Sequence, residues 1–130
     1  MSLRLRFVRF NAVGAAGIGV QLAALWFLTS VLHVHYFAAT SAAVALAIVH
    51  NFVWHRRWTW AERADHGNSV AQFMRFAGAN GAVSLAGNLV MMATLVSGAQ
   101  MTPLAANAVA IGACGLLNFC LGDTVVFRRP

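Results

Sequence analysis

Four stretches of this chain, residues 10–32, 36–53, 73–97 and 103–121, are apolar over nearly their whole length. A helix that crosses a bilayer needs about 20 mostly apolar residues. Hydrocarbon offers no partner for a backbone amide, so a spanning segment must be a helix or part of a closed barrel. The runs show no alternation of apolar and polar residues, which selects helices. Composition agrees, with 60% hydrophobic and 9% charged residues, against roughly 25% charged in an ordinary soluble domain. The chain therefore reads as an all-α membrane protein, a single transmembrane domain over residues 1–130 with four transmembrane helices. Such hydrophobicity excludes disorder. The net charge of +6 does not signal nucleic acid, because the arginines form no face of a soluble domain.

The connections between spans one and two (residues 33–35) and between spans three and four (residues 98–102) are short. Each pair should therefore pack as an antiparallel hairpin. Ser69-Val70-Ala71-Gln72 fits a capping box that opens the third helix. Pro103 suits the first turn of the fourth, where its missing N–H costs nothing. The cations are Arg4, Arg6, Arg9, Arg56, Arg57, Arg63, Arg75, Arg128 and Arg129. They fall in the N-terminus, around the middle loop and in the C-terminus, and the two short outer turns have none. Cytoplasmic segments retain arginine, so both termini and the loop over residues 54–72 are expected in the cytoplasm. The arginines before span one resemble a signal peptide's basic start, but the apolar run is long for a signal. Cys114 and Cys120 lie in one apolar run and point to different helix faces, so free packed thiols are expected, with no disulfide or metal.

The sequence partly overlays itself. With a shift of 67, Gly14 falls on Gly81, Ala15 on Ala82, Gln21 on Asn88, Asn51-Phe52 on Asn118-Phe119 and Trp60 on Phe127. With a shift of 66, Arg9-Phe10 falls on Arg75-Phe76, a one-residue slip. Weak internal symmetry of this kind marks repeats in membrane transporters. The period holds two spans, so both copies enter from one side. The expected architecture is two parallel-repeat helical hairpins, residues 9–60 and 75–127.

With the repeat in view, the chain resembles the GtrA-like family of small four-span membrane proteins. The resemblance rests on RFNAVGAAGIG, on the Ala-rich second helix that ends in NFVWHRRWTW, and on the weaker second copy RFAGAN…NFCLGDTVVF. It covers nearly the whole chain, and the tail after Asn51-Phe52 is its most specific part. It implies a part in cell-surface polysaccharide synthesis at the bacterial inner membrane. The implied role is translocation of a polyprenyl-phosphate-linked sugar, or help to a membrane-bound glycosyltransferase. The second copy departs from the first where Arg56 and Arg57 become Asp123 and Thr124.

The residues themselves suit a lipid phosphate at the cytoplasmic leaflet. Guanidinium forks of Arg56 and Arg57 could hold phosphate in two-pronged fashion. Arg9 and Arg75 stand at the matching ends of spans one and three, and Asn51 and Asn118 place amides just inside. Trp54, Trp58 and Trp60 could stack on a sugar or an isoprenoid, or simply anchor the helix at the interface. Gln21 and Asn88 lie near mid-membrane and serve either as a polar path for a headgroup or as interhelical glue. Asp123 could accept an arginine from the first half as a structural clasp. Ala108-x₃-Gly112 and Ala15-x₃-Gly19 have the spacing that brings helices close, and offer a face for a homodimer. His33-Val34-His35 lacks a third metal ligand, and His50 and His55 carry no motif. No nucleophile–base set appears, so no enzyme and no cofactor are expected. A proton-coupled exporter would keep a carboxylate inside the membrane, whereas Glu62 and Asp65 lie in the loop and Asp123 at a span end.

Overall fold

The computed structural model describes residues 1–66 and 68–128, and the side chains of all of these except Asp65, His66, Pro103 and Leu104. Arg129, one of the cations expected on the cytoplasmic side, lies outside the described residues. Among the described residues there are helices and turns and no strands. Four helical segments are long and apolar enough to cross a membrane: Leu3–Val31, Tyr36–Thr59, Ser69–Gly98 and Ala105–Val126. The chain divides into two compact units, Met1–Asp65 and His66–Pro130.

In the first unit, helix α1 (Leu3–Trp26) is capped by Ser2, whose hydroxyl accepts from the Leu5 amide. The helix thus begins well before the apolar run, and Arg4, Arg6 and Arg9 are helical rather than flanking. It ends in a π-helical turn, Phe27–Val31. His33 then takes φ 53° and turns the chain back into α2 (Tyr36–Trp54). This helix also continues into a π-helical turn, His55–Thr59, closed by the Trp60 amide on the His55 carbonyl. Residues 54–59, read from sequence as the start of the loop, therefore belong to the helix. A short 3₁₀ helix, Ala61–His66, follows.

The second unit opens with α3 (Ser69–Ala82). Its cap is Asn68 and not Ser69: the Asn68 carboxamide oxygen accepts from both Val70 and Ala71. One acceptor pairing two first-turn amides places the cap one residue before the expected capping box. The span runs on through a π-helical turn (Val83–Gly87), α4 (Asn88–Met92) and a second π-helical turn (Ala93–Gly98). After Gln100, at φ 56°, the helix α5 (Pro103–Leu121) starts with proline in its first turn and Thr102 as cap. It ends in the π-helical turn Gly122–Val126.

Lipid tails are as apolar as leucine, so helices in a bilayer gain from close van der Waals packing rather than from leaving water. In α2 the buried positions Ala39, Ala43 and Ala47 recur every four residues, and α1 packs along this helix with Val13 and Gly17 buried. In α5 the same stripe is Ala106, Ala110 and Cys114. These stripes, and not Ala15-x₃-Gly19 or Ala108-x₃-Gly112, make the tight internal packing. Ala15, Gly19, Ala108 and Gly112 are exposed. The cysteines are free; Cys114 is packed and Cys120 is exposed.

The internal details of the units also account for the one-residue slip. Early features repeat at 66: the Arg6 amide bonds the Ser2 carbonyl as the Gln72 amide bonds that of Asn68, and Arg6 and Gln72, like Gly17 and Val83, are buried. Later features repeat at 67: the bonds from Leu32 to Phe27 and from Val34 to Leu28 match those from Ala99 to Thr94 and from Met101 to Leu95. Between the two registers lies Val83–Gly87, a π-helical turn where α1 is plain α-helix. A π turn closes its hydrogen bond one residue later than an α turn and so takes up a single inserted residue. Gly87 lets this turn approach α5, since a Cβ there would come within 3.0 Å of Cys114 Sγ. Gln21 and Asn88, after the insertion, keep the 67 register. Gly14 and Gly81, before it, do not correspond; Gly14 matches Asn80.

Candidate functional site

The end of α2 has two faces. Phe52, His55, Thr59 and Trp60 point inward and are buried. The His55 ring stacks on Phe10 of α1 at 4.9 Å with 12° between planes, and Trp60 meets both rings edge-on. His55 Nδ1 and the Thr59 hydroxyl lie 3.0 Å apart and pair, so the buried polar atoms are matched. Trp60 is 1% exposed. It holds the turn against α1 and stands apart from the other tryptophans.

The opposite face carries His50, Trp54, Arg57 and Trp58. Their spacing of i, i+4, i+7 and i+8 puts them on one side of a helix. They face Ala12, Val13 and Ala16 of α1, and the space between is a groove of about 380 Å³. The small α1 residues are what leave room for it. Trp54 and Trp58 remain 49% and 40% exposed. The groove thus has an apolar floor, two broad aromatic walls and one guanidinium.

Arg9 fixes one of those walls. Its Nη1 donates to the Trp58 carbonyl at 2.9 Å, and its Cζ lies 5.2 Å from the centre of the Trp58 ring. A cation here also meets the negative end of the helix. Arg56 turns the other way and donates from Nη2 to the Ala64 carbonyl at 3.1 Å. With Arg57, Ala61 and Ala64 it lines a second hollow of about 310 Å³. Arg57 therefore borders both spaces. Asn51 does not reach the mouth: its Oδ1 accepts from His50 Nδ1 at 3.1 Å and rests on Gly17, where any Cβ would overlap the carboxamide. The Met1 ammonium pairs with Glu62 at 2.9 Å.

Of the residues expected to form a cradle, the structure gathers Trp54, Arg57 and Trp58, with Arg9 bracing them and Asn51 behind. His50 was passed over in the sequence because a lone histidine carries no motif. Its helical spacing with Trp54, Arg57 and Trp58 was the available signal. Gln21 is half-buried in the same unit.

In the second unit the positions that match His50, Trp54, Arg57 and Trp58 are Leu117, Leu121, Thr124 and Val125. None is charged or aromatic, and the Thr124 hydroxyl is spent on the Cys120 carbonyl. Arg75 is exposed, and Asp123 is half-buried in its turn. Asn118 is half-buried, and its Oδ1 has no hydrogen-bond donor among the described residues. Asn88 donates to the Ser84 carbonyl of its own helix at 2.8 Å. Among the described residues no three His, Cys, Asp or Glu side chains stand together to hold a metal.

A family model described as GtrA/DPMS, transmembrane domain, matches residues 9–127. No curated protein matches the chain. The match and the four apolar helices make this a multi-pass membrane protein. They suggest involvement in the handling of polyprenyl-phosphate sugars, in a family generally without catalytic activity.

Proposed function

Because the chain belongs to the GtrA/DPMS transmembrane-domain family, we propose that it translocates a polyprenyl-phosphate-linked sugar across the bacterial inner membrane, for synthesis of cell-surface polysaccharide. The observation that carries this is the groove: a guanidinium and two tryptophan walls above a floor of Ala12, Val13 and Ala16. Its three surfaces match the three parts of such a lipid. Arg57 takes the phosphate, since its planar fork can give two parallel charge-assisted bonds. Trp54 and Trp58 stack on the sugar, and the apolar floor receives the first isoprene units. Arg56, from the neighbouring hollow, adds positive potential. The positive-inside distribution of arginines supports a groove that opens toward the cytoplasmic leaflet, with both termini on that side. The exposed faces of α1 and α5 that carry Ala15-x₃-Gly19 and Ala108-x₃-Gly112 supply the surface for a second copy.

A second reading is favoured by one observation: the second unit has Leu117, Leu121, Thr124 and Val125 where the groove has His50, Trp54, Arg57 and Trp58. A protein that binds the lipid in one unit alone could instead present it to a glycosyltransferase, as a non-catalytic accessory subunit. Purified protein in sealed liposomes separates the two. Translocation predicts movement of a polyprenyl-phosphate sugar between leaflets with no partner present, slowed about 10- to 100-fold by Arg57→Ala, as expected for a lost charged hydrogen bond. Movement absent from the wild-type protein, with stable capture of a polyprenyl-phosphate glycosyltransferase, would transfer the assignment to the accessory role.

A further inference from the structure

The groove's third wall, His50, has a hydrogen-bonding polarity that its surroundings fix. Its Nδ1 lies 3.1 Å from Asn51 Oδ1. Asn51 in turn is seated on Gly17, and of its carboxamide atoms Oδ1 is the nearest to where a glycine Cβ would stand. A carbonyl oxygen against a main-chain CH₂ is favourable, whereas an amide NH₂ there would face hydrogens. Asn51 therefore presents oxygen to the imidazole, and Nδ1 must carry the proton. In a neutral imidazole one nitrogen donates and the other accepts. In the neutral ring Nε2 is then an acceptor, and the ring makes no other hydrogen bond among the described residues. The ring also meets the Trp54 ring, at 6.3 Å between centroids. The ring lines the same groove as Arg57.

We infer that His50 is a specificity-determining residue that accepts a hydrogen bond from a hydroxyl group of the bound lipid's headgroup. A neutral imidazole acceptor cannot bond a fully ionised phosphate oxygen, which also only accepts, but it can bond a sugar hydroxyl. Arg57 answers to the phosphate that every such lipid carries. His50 answers to what is attached to it, and so tells a glycosylated lipid phosphate from the bare one. The inference rests on the reading of the groove as a lipid-phosphate site. Gly17 and Asn51 act through His50 as positioning residues: one makes space for the carboxamide, the other sets the tautomer.

The test compares two probes in nanodiscs, a short-chain polyprenyl phosphate and the same lipid carrying one hexose. The wild-type protein should bind the hexosyl lipid about tenfold more tightly, on the scale of one hydrogen bond gained. His50→Phe keeps a flat ring without an acceptor and should bring the ratio to about one. His50→Gln, which restores an acceptor oxygen, should recover part of the preference. Asn51→Ala, which frees the tautomer, should give an intermediate ratio. A wild-type ratio near one overturns the inference, as does His50→Phe with the preference intact or with both affinities lowered alike. Binding of neither lipid by the wild-type protein overturns instead the reading of the groove itself. The wild-type ratio needs no variant, so it decides even if a substitution unfolds the chain.

Discussion

In the first unit the turn His55–Thr59 closes α2 with a bond from the Trp60 amide to the His55 carbonyl; in the second, Gly122–Val126 closes α5 with the same bond between Phe127 and Gly122. Trp60 and Phe127 are both fully buried, and an Ala-rich stripe of identical spacing precedes each. The frame is repeated, yet the outward face is not: His50, Trp54, Arg57 and Trp58 on one side become Leu117, Leu121, Thr124 and Val125 on the other. Packing and site are thus borne by different residues of one helix end. The inward set keeps the geometry in both copies, and the outward set is free to carry chemistry in one.

That comparison can be broken at several points. The largest effect should come from deleting one residue of a first helix. Deleting Ile18 turns the preceding part of α1 by one helical step and takes Val13 and Gly17 off α2. A loss of about 3 kcal/mol or more in detergent unfolding is expected, enough to stop folding. Deleting Leu85 instead shortens a π turn to an α turn, and should cost about 1 kcal/mol or less. Equal losses in the two deletions would contradict the insertion account. Next in size, Arg57→Ala should weaken polyprenyl-phosphate binding by about 10- to 100-fold, while Thr124→Ala changes it by less than about twofold. Overpacking either stripe, by Ala43→Leu or Ala110→Leu, should lower stability by about 1–3 kcal/mol in both units alike, read as a fall in unfolding midpoint. The smallest change is Arg9→Ala. It releases Trp58, removing a bond and a cation–π contact, and should weaken lipid binding about fivefold with little effect on the unfolding midpoint.

The four spans were legible because an apolar run of that length has one physical solution. The buried faces were not legible. In water, apolar periodicity reports the core; in lipid, core and surroundings are equally apolar, so Ala39, Ala43 and Ala47 look no different from Ala15 and Gly19. The cap at Asn68 was missed because two competent capping residues stand side by side, and the choice lies in side-chain reach. The slip between 66 and 67 was visible, but the helical turn that absorbs it leaves no mark in composition. In the site, the sequence offered the cationic and aromatic residues of the α2 end, while their division into a buried and an open face follows from the helix continuing past Trp54. That continuation separated Trp60 from Trp54 and Trp58, and brought His50 into the groove.

The most direct measurement is photocrosslinking of a polyprenyl phosphate with a photoreactive first isoprene unit, mapped by peptide mass spectrometry on the intact protein in bilayers. A lipid seated in the groove should leave adducts on residues 12–16 and 50–58, and lose them in Arg57→Ala. Adducts spread equally over residues 78–82 and 117–125 would mean that the two units bind alike, and that the groove of the first is not the site.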